Sequence, residues 1–325
     1  MTLIWIFAGL AALLFGARLI GRRNARRAEA DAPAIGSMTR VSGGAIHWTS
    51  DGPTDADAPV QTVVCIHGLS GNLRNFTYAL TPLLRDRFRV IAIDRPGCGY
   101  SRRGGFADAS FEAQARMIAA FLDAEGVERP ILAGHSLGGA LALQLALDYP
   151  DKVGGIALLA PLTRPAAPPM FALIDIPFGG ARAALGATVA GALGPLQANS
   201  VLGRVFAPEP VPASFRIEGG ADLALRADNF VASAEDLTAS RPSLRDLAAR
   251  TPDLKTLGGV LFGTADEVLE EPLHGAAFAK TAPHLSYEKI PGAGHMLPIT
   301  QAQASAAFIR RIADRVRADA APASP

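Results

Sequence analysis

The sequence predicts an α/β fold in which helices flank a mostly parallel central β-sheet. From residue 61 onward, short apolar segments alternate with longer amphipathic stretches, and this alternation is typical of repeated β-α units. Apolar residues make up 49% of the 325 residues and charged residues 19%, so the chain can bury a large core. We therefore expect one large folded domain that carries additional segments.

The first distinct segment is the apolar stretch at residues 3–20. Its 18 residues carry one charge, and a helix of this length spans about 27 Å, close to the thickness of the hydrocarbon core of a bilayer. The first 27 residues contain no acid and five arginines: Arg18, Arg22, Arg23, Arg26 and Arg27. Residues 1–21 are expected to form a membrane anchor that contacts lipids, and residues 22–37 a basic linker beside the membrane.

The position of these arginines favours an anchor that is retained. A cleaved signal peptide carries its positive charge before the apolar stretch, whereas here most of the charge follows it. By the positive-inside tendency, the body of the protein is expected in the cytoplasm. Two alternatives stay open, an uncleaved helix that lies in the membrane interface and an exported precursor. The two cysteines, Cys65 and Cys98, give no sign of a disulfide framework and agree with a reduced compartment.

Charge and motif content argue against several functional classes. The formal net charge is +1, and without the amino-terminal arginines the chain is slightly acidic, so nucleic acid is not an expected partner. The P-loop pattern is absent from the sequence, and the nearest approach to a dinucleotide fingerprint, at Gly97 and Gly99, has Arg102 in place of the third glycine. No spacing of Cys and His indicates a metal site. We expect neither a cofactor nor a metal, and no obligate protein partner is evident.

The core is expected to comprise residues 38–160 and 251–316. It begins with a β-hairpin around Gly43-Gly44. Apolar segments then predict strands at TVVCI, VIAI, ILA, GIALL, GGVLFG and LSYEKI. Amphipathic stretches predict helices over residues 75–84, 111–124, 137–148 and 300–316. Residues 317–325 are expected to be a loose tail.

The regular alternation stops between residues 161 and 250. This segment is rich in proline, glycine and small apolar residues, with a helical pattern around residues 223–230. An insertion at this point is expected to form a helical lid. Because its composition is apolar, the lid would wall a largely apolar pocket.

The segment Gly134-His135-Ser136-Leu137-Gly138 matches the pattern G-x-S-x-G. It follows the predicted strand ILA and precedes an apolar helical stretch, the context in which this pattern forms a sharp strand-to-helix turn. Gly134 and Gly138 would let backbone segments approach closely. The turn would expose Ser136 at the amino end of a helix, where the backbone N–H of Leu137 can bind an oxyanion. Ser136 is therefore the candidate nucleophile, and His135 is expected to shape the pocket.

A second oxyanion donor is expected after the strand TVVCI, in the segment His67-Gly68-Leu69. The backbone N–H of Leu69 is the candidate, and Gly68 would permit the close approach that it needs. His67 is expected to stabilise this loop rather than to react.

Other polar residues outside these motifs are also expected to be structural. Asp94, which precedes Pro96, would fix a turn, and Arg102 and Arg103 are expected to face solvent.

Five motifs in order resemble the α/β-hydrolase superfamily, in its esterase and lipase branch, over about residues 38–316. They are His67-Gly68, DRPGCGYS, GHSLGG, GTADEV and GAGH. In this family the acid of the triad follows the penultimate strand, which here indicates Asp266, with Glu267 as the neighbouring alternative. The general base follows the last strand, which indicates His295. The resemblance therefore implies a Ser136, Asp266, His295 triad.

Such a triad implies acyl transfer through an acyl-enzyme, and an apolar lid implies lipophilic carboxylic esters as substrates. Three alternatives stay open. Two are enzymes of the same fold, a carbon-carbon bond hydrolase and a cofactor-free haloperoxidase-like enzyme. The third is a ligand sensor or membrane scaffold without catalytic activity, because a fold alone does not determine a function.

Overall fold

The computed structural model describes residues 1–54, 60–165 and 180–320. Its strands form one mixed sheet and are β1 (Ser37–Val41), β2 (Gly44–Asp51), β3 (Thr62–Ile66), β4 (Arg89–Ile93), β5 (Arg102–Arg103), β6 (Ile131–His135), β7 (Gly155–Leu159), β8 (Gly258–Gly263) and β9 (Ser286–Ile290). Its helices are α1 (Thr2–Asp31), α2 (Arg74–Thr77), α3 (Thr81–Leu84), α4 (Phe111–Ala124), α5 (Leu137–Asp148), α6 (Gly180–Phe206), α7 (Phe215–Glu218), α8 (Ala227–Arg250), α9 (Ala277–Thr281), α10 (Leu297–Thr300) and α11 (Ala302–Ala320).

The sheet has the strand order β1-β2-β4-β3-β6-β7-β8-β9, with β5 paired to β2. The strands from β4 to β9 along this order run parallel, and β1 and β2 are antiparallel at one edge. All six predicted apolar strands are present, and so is the predicted hairpin at Gly43-Gly44. Strands β6, β7 and β8 are fully buried, which explains why their sequences are apolar without alternation.

The predicted helices flank this sheet. Helix α4 begins after Ser110, whose hydroxyl caps the helix by accepting a hydrogen bond of 3.2 Å from the backbone N–H of Ala113. Helices α4 and α5 pack against each other and the sheet, and α11 packs on β7 and β8. The mostly parallel α/β architecture expected from the sequence is therefore confirmed.

The strand order reverses direction between β3 and β6. The chain passes from β3 to β4 on one side and then crosses to β6 on the other. At such a switch point the loops after the two central strands diverge and leave a crevice at the carboxyl edge of the sheet. The loop after β3 carries Gly68 and Leu69, and the turn after β6 carries Ser136. The topology therefore brings these predicted site residues together.

Several element boundaries differ from the prediction. Residues 75–84 form the two short helices α2 and α3 rather than one helix. The closing helix is interrupted at Gln301, whose backbone is not helical. Helix α11 continues to Ala320, beyond Arg315, which donates hydrogen bonds to the carbonyls of Gly258 (3.1 Å) and His284 (3.4 Å). The expected tail is thus helical over residues 317–320, and residues 321–325 lie outside the described chain.

The expected linker at residues 22–37 is also mostly structured. Helix α1 continues through it to Asp31, and β1 begins at Ser37. The second half of α1 packs on the body: Ala32 accepts a hydrogen bond of 2.8 Å from the Tyr100 hydroxyl, and Glu29 forms a 3.0 Å ion pair with Arg226. These long-range contacts, which composition does not reveal, explain the extended helix.

The first half of α1 differs from the second in its exposure. Its apolar side chains are exposed, among them Trp5, Phe7, Leu13 and Phe15. By length and composition, Ile4–Asp31 is long and apolar enough to cross a membrane, and it is the one such helix in the described part of the chain.

The insertion at residues 161–250 lies between β7 and β8. In its described part it contains α6, α7 and α8, while residues 166–179 lie outside the described chain. Helix α8 packs on both α4 and α5, so the insertion rests on the core. That it acts as a movable lid stays a prediction.

Two truncations test whether only the second half of α1 stabilises the folded body. Removal of residues 2–20 takes away exposed apolar surface and should leave the melting temperature of the body nearly unchanged. Removal of residues 2–32 also deletes the buried Ala28 and Ala32 and their polar neighbours, which should cost about 2 kcal/mol and lower the melting temperature by roughly 4–8 °C. Thermal unfolding in mild detergent measures the difference, and equal melting temperatures would contradict it.

Candidate active site

Ser136 occupies the turn between β6 and α5. Its backbone is in a rarely populated region, with φ 55° and ψ −122°, a conformation that costs on the order of 1–3 kcal/mol for a non-glycine residue. Two long-range backbone hydrogen bonds hold it there. The Ser136 N–H donates to the Leu159 carbonyl at 3.1 Å, and the Leu162 N–H donates to the Ser136 carbonyl at 2.9 Å. The turn is therefore anchored to β7 and the segment that follows it.

Glycines are required around this turn. A Cβ on Gly134 would lie 2.5 Å from the Gly138 carbonyl oxygen, and one on Gly138 would lie 2.0 Å from the Ile66 carbonyl oxygen. A Cβ on Gly68 would lie 2.9 Å from the Ser136 Cβ and 3.4 Å from its Oγ. All three sites are too tight for a side chain. The loop after β3 thus packs directly against the candidate nucleophile.

Asp266 and His295 form a buried pair. Their loops follow β8 and β9, and the His295 Nδ1 lies 2.7 Å from the Asp266 Oδ2. The other carboxylate oxygen, Oδ1, accepts hydrogen bonds of 2.8 Å from the backbone N–H groups of Val268 and Leu269. Burial raises the pKa of the Asp266 carboxyl, but the His295 ring and these donors outweigh burial, and the pKa lies below its ordinary value. The carboxylate is therefore ionised, and His295 Nδ1–H donates to it.

Two further residues hold the His295 loop in place. The His135 Nε2 lies 3.0 Å from the His295 carbonyl oxygen, and the two imidazole rings are 4.8 Å apart. Burial and the neighbouring His295 lower the pKa of His135 to about 3, so its ring is neutral and Nε2–H donates this bond. Glu209, from the insertion, accepts a 2.9 Å hydrogen bond from the backbone N–H of Gly294.

Ser136 and His295 line one cavity with a volume of about 680 Å³. Leu69 and Leu137, the predicted oxyanion residues, line it too. Within the described chain, neither of their backbone N–H groups donates to a protein acceptor. The side chain of Asp266 is completely buried behind His295. The structure therefore brings Ser136, His295, Leu69, Leu137 and Gly68 to one cavity, with Asp266 behind His295.

Arg95, to which no sequence pattern pointed, connects the insertion to the loop after β3. Its buried guanidinium donates to Asp236 of α8 at 2.7 Å and to the Gly68 carbonyl at 3.2 Å. The backbone N–H of Arg95 donates to the His67 Nε2 at 2.9 Å, and the His67 Nδ1 in turn donates to the Gly68 carbonyl at 2.8 Å. Burial and the nearby Arg95 lower the pKa of His67 to about 4, so this ring is neutral. Arg95 and His67 together fix the loop that carries Leu69.

The expectation for Arg103 was wrong. Its side chain is buried and pairs with Asp236 and with Glu235, the latter at 2.9 Å. Pattern alone did not reveal this burial, because both acids come from α8, more than a hundred residues away. The expectation for Asp94 holds: it accepts a hydrogen bond of 2.8 Å from the Tyr100 N–H, which fixes the turn over residues 94–100, and one of 2.7 Å from the Leu73 N–H in the loop after β3.

The arrangement supports nucleophilic chemistry. A buried carboxylate orients an imidazole, and a serine on a strained turn shares its cavity, which is the constellation that activates a hydroxyl for attack on a carbonyl carbon. Among the residues that the structure describes, no group of three or more His, Cys, Asp or Glu side chains is arranged to hold a metal ion.

Curated proteins from other bacteria are similar to part of this chain. A dihydrolipoyllysine-residue acetyltransferase component of an acetoin-cleaving system from Cupriavidus necator is 36% identical over 134 residues, which are 41% of this chain and 34% of that protein. A 2-hydroxy-6-oxo-6-phenylhexa-2,4-dienoate hydrolase from Comamonas testosteroni is 32% identical over 119 residues, 36% of this chain and 40% of that protein. The chain thus aligns with less than half the length of these curated relatives.

Among solved structures, a thermophilic esterase from Thermogutta terrifontis superimposes with a TM-score of 0.67 at 26% identity. The match covers 86% of this chain and 99% of the esterase. The family model described as alpha/beta hydrolase fold matches residues 61–302. That match includes the strands β3 to β9 and every predicted site residue. It covers more than half of the sequence, and the chain therefore belongs to the α/β-hydrolase family.

Proposed function

We propose that this hydrolase cleaves carboxylic esters through an acyl-enzyme on Ser136. The observation that carries the proposal is the buried contact between Asp266 and His295 at the cavity that Ser136 lines. Because Asp266 holds the proton on Nδ1, the Nε2 of His295 is left free to accept the serine proton. The imidazolium that forms is then stabilised by the ionised carboxylate.

The reaction proceeds in two steps. The Ser136 Oγ attacks the ester carbonyl as His295 takes its proton, and the backbone N–H groups of Leu69 and Leu137 stabilise the oxyanion. Collapse of the tetrahedral intermediate expels the alcohol, which receives the proton from His295, and leaves an acyl group on Ser136. Water, deprotonated by His295, releases the carboxylic acid and restores the serine.

The proposed substrates are lipophilic esters. Apolar side chains line most of the cavity: Leu162, Val189, Leu193, Val201, Leu202, Val205, Phe206, Phe215, Leu225, Phe230, Leu237, Val268, Leu269 and Met296. Two charged side chains, Arg204 and Asp222, are also at its wall, and Asp222 is already paired with Arg216 at 3.0 Å. An acyl chain would gain about 0.8 kcal/mol for each methylene that it buries here.

A second candidate is the hydrolysis of a carbon-carbon bond, which the name of the Comamonas testosteroni relative suggests. A dienoate substrate carries a carboxylate and would require a cation in the pocket. Arg204 is the one cationic side chain among the described residues that line the cavity, and it is exposed to solvent. This composition favours the neutral ester over the acid.

We also propose that residues 1–21 anchor the protein in a membrane with the folded body in the cytoplasm. The exposed apolar half of α1 supports this, since such a surface is unfavourable in water. The arginines that follow it favour retention on the cytoplasmic side. The contacts of Glu29 and Ala32 with the body make removal of α1 as a signal peptide costly.

Labelling with a fluorophosphonate probe tests the nucleophile. The wild-type protein should react, Ser136→Ala should not react at all, and His295→Ala should lose nearly all reactivity because the hydroxyl then has no base. Asp266→Asn should react about four orders of magnitude more slowly, because the wrong imidazole tautomer is favoured. His284→Ala, at an exposed histidine, is the matched control. A folded protein that fails to label would instead support a ligand sensor or scaffold.

Substitution of Gly68 tests the close approach of the β3 loop. In Gly68→Ala the new methyl group presses on the Ser136 Cβ, so kcat should fall by about a hundredfold to a thousandfold, as it does when one oxyanion donor is lost. Gly203→Ala is the control, because nothing lies within 4 Å of a Cβ at that position. Steady-state kinetics on a soluble ester measure both, and a fully active Gly68→Ala would show that this contact does not matter.

A substrate panel separates the two candidate reactions. We expect kcat/KM to rise with acyl length in a series of p-nitrophenyl esters, since each added methylene is buried in the apolar cavity. A 2-hydroxy-6-oxo-dienoate assayed under the same conditions should turn over much more slowly. The opposite ranking would reject the ester proposal in favour of carbon-carbon bond hydrolysis.

A further inference from the structure

Helix α6 exposes apolar side chains that also belong to the catalytic cavity. Val189, Leu193 and Val201 are 44%, 54% and 40% exposed, and all three line the cavity. Leu196 is 82% exposed and does not line it. The spacing of 189, 193 and 196 places these three residues on one face of the helix. An apolar surface therefore continues from the outside of α6 into the cavity that holds Ser136.

This helix is fastened to α1. Gly21 lies against Gly191: a Cβ on Gly21 would be in ordinary van der Waals contact with the Gly191 carbonyl carbon, at 3.5 Å. Pro195 lies inside α6 and has no N–H to donate to the carbonyl four residues earlier, that of Gly191. The Asn24 side-chain amide donates to this carbonyl at 2.9 Å. A side chain of α1 thus replaces the helical hydrogen bond that Pro195 removes.

The order of these contacts shows the direction of α6 relative to α1. Gly21 meets Gly191, and farther along both helices Ala25 and Ala28 line a second cavity together with Pro195. The helices therefore run in the same direction. The contact begins one residue after the apolar stretch of α1 ends at residue 20, so Gly191 lies at the level where the proposed anchor leaves the hydrocarbon. By helical rise, Val189 lies about 3 Å to the membrane side of that level and Leu196 about 8 Å to the other side.

This depth corresponds to the membrane interface. The polar region on each side of the hydrocarbon core is roughly 5–8 Å thick, so the apolar face of α6 would extend from its outer part into the acyl chains. Exposed arginines lie at the same level on α1, at Arg22, Arg23 and Arg26. Their charge is complementary to anionic lipid headgroups.

We propose that α6 lies in the membrane interface beside α1 and that its face formed by Val189, Leu193 and Leu196 contacts phospholipid, with Val189 at the acyl chains and Leu196 among the headgroups. This lipid-facing surface is the entrance to the catalytic cavity, and a lipophilic ester passes from the bilayer to Ser136 without crossing water. The inference rests on the proposed anchoring of residues 1–21 and the proposed ester hydrolase activity. It adds the surface through which the substrate enters and the contact, Asn24 with Gly191, that holds this surface at the membrane.

Single cysteine probes test the lipid contact in the full-length protein. Both native cysteines are buried, and burial raises the pKa of Cys98 to about 11 and that of Cys65 further, so neither reacts with a thiol label in the folded protein. Leu196→Cys and Val189→Cys place a nitrobenzoxadiazole fluorophore on α6. Ala318→Cys is the control, an exposed position near Arg315, which contacts Gly258 at the amino edge of the sheet.

The labelled proteins are reconstituted in vesicles of phosphatidylcholine and phosphatidylglycerol with or without brominated acyl chains. We expect blue-shifted emission and quenching by the brominated lipids at Val189 and Leu196, with stronger quenching at Val189 because it lies deeper. The Ala318 probe should be quenched by aqueous iodide alone. The proposal is overturned if the α6 probes respond to iodide as the Ala318 probe does. It is also overturned if neither quencher reaches them, since a second copy of the chain would then cover this face.

Kinetics separate this inference from the proposed reaction. Leu196→Glu adds a charge to the entrance without touching the cavity, so kcat/KM should fall for a long-chain ester dissolved in the vesicles and stay unchanged for a water-soluble short ester. Ala318→Glu should change neither value. The proposed entrance would be rejected if Leu196→Glu and the wild-type protein had equal kcat/KM values on both esters. The fluorescence needs no turnover, so it decides the lipid contact even if the protein does not cleave esters.

Discussion

The strained turn at Ser136 is the constraint on which the rest of the site depends. Its positive φ costs free energy that only the surrounding backbone can offset, through hydrogen bonds to β7 and the segment after it. The turn also requires backbone to lie against backbone, which Gly68 and Gly138 allow because they have no side chain. Once β3 and β6 are packed in this way, the loops at the carboxyl edge converge on the serine.

The insertion supports this geometry. Asp236 in α8 pairs with Arg95, which reaches the carbonyl of Gly68, and Glu209 holds the backbone of Gly294 beside His295. Both loops that flank the nucleophile are thus tied to the same inserted segment. Because the Arg95 and Asp236 charges are buried, loss of one partner would leave the other unpaired at a large cost. The insertion is therefore a structural part of the site as well as the wall of its cavity.

The amino-terminal helix belongs to this unit. Its second half packs on the insertion through Asn24 and Glu29 and on the core through Ala32, and its first half presents apolar side chains outward. Because the second half of α1 is packed on the body and its first half is exposed, α1 fixes the orientation of the body relative to the surroundings of the exposed half. In a membrane, this orientation would direct the open side of the apolar cavity toward lipid.

The sequence by itself determined the parallel strands of the sheet and helices α4 and α5, and it singled out the candidates Ser136, Asp266 and His295. These features depend on local patterns: continuous apolar strands, the glycines around Ser136, and the ordered motifs that contain Asp266 and His295. Only the tertiary structure decided the burial of Arg95 and Arg103, the length of α1 and the contact of Asn24 with Gly191. Each of these depends on partners that are distant in the sequence, and a local pattern carries no information about which distant group will satisfy a charge or a carbonyl.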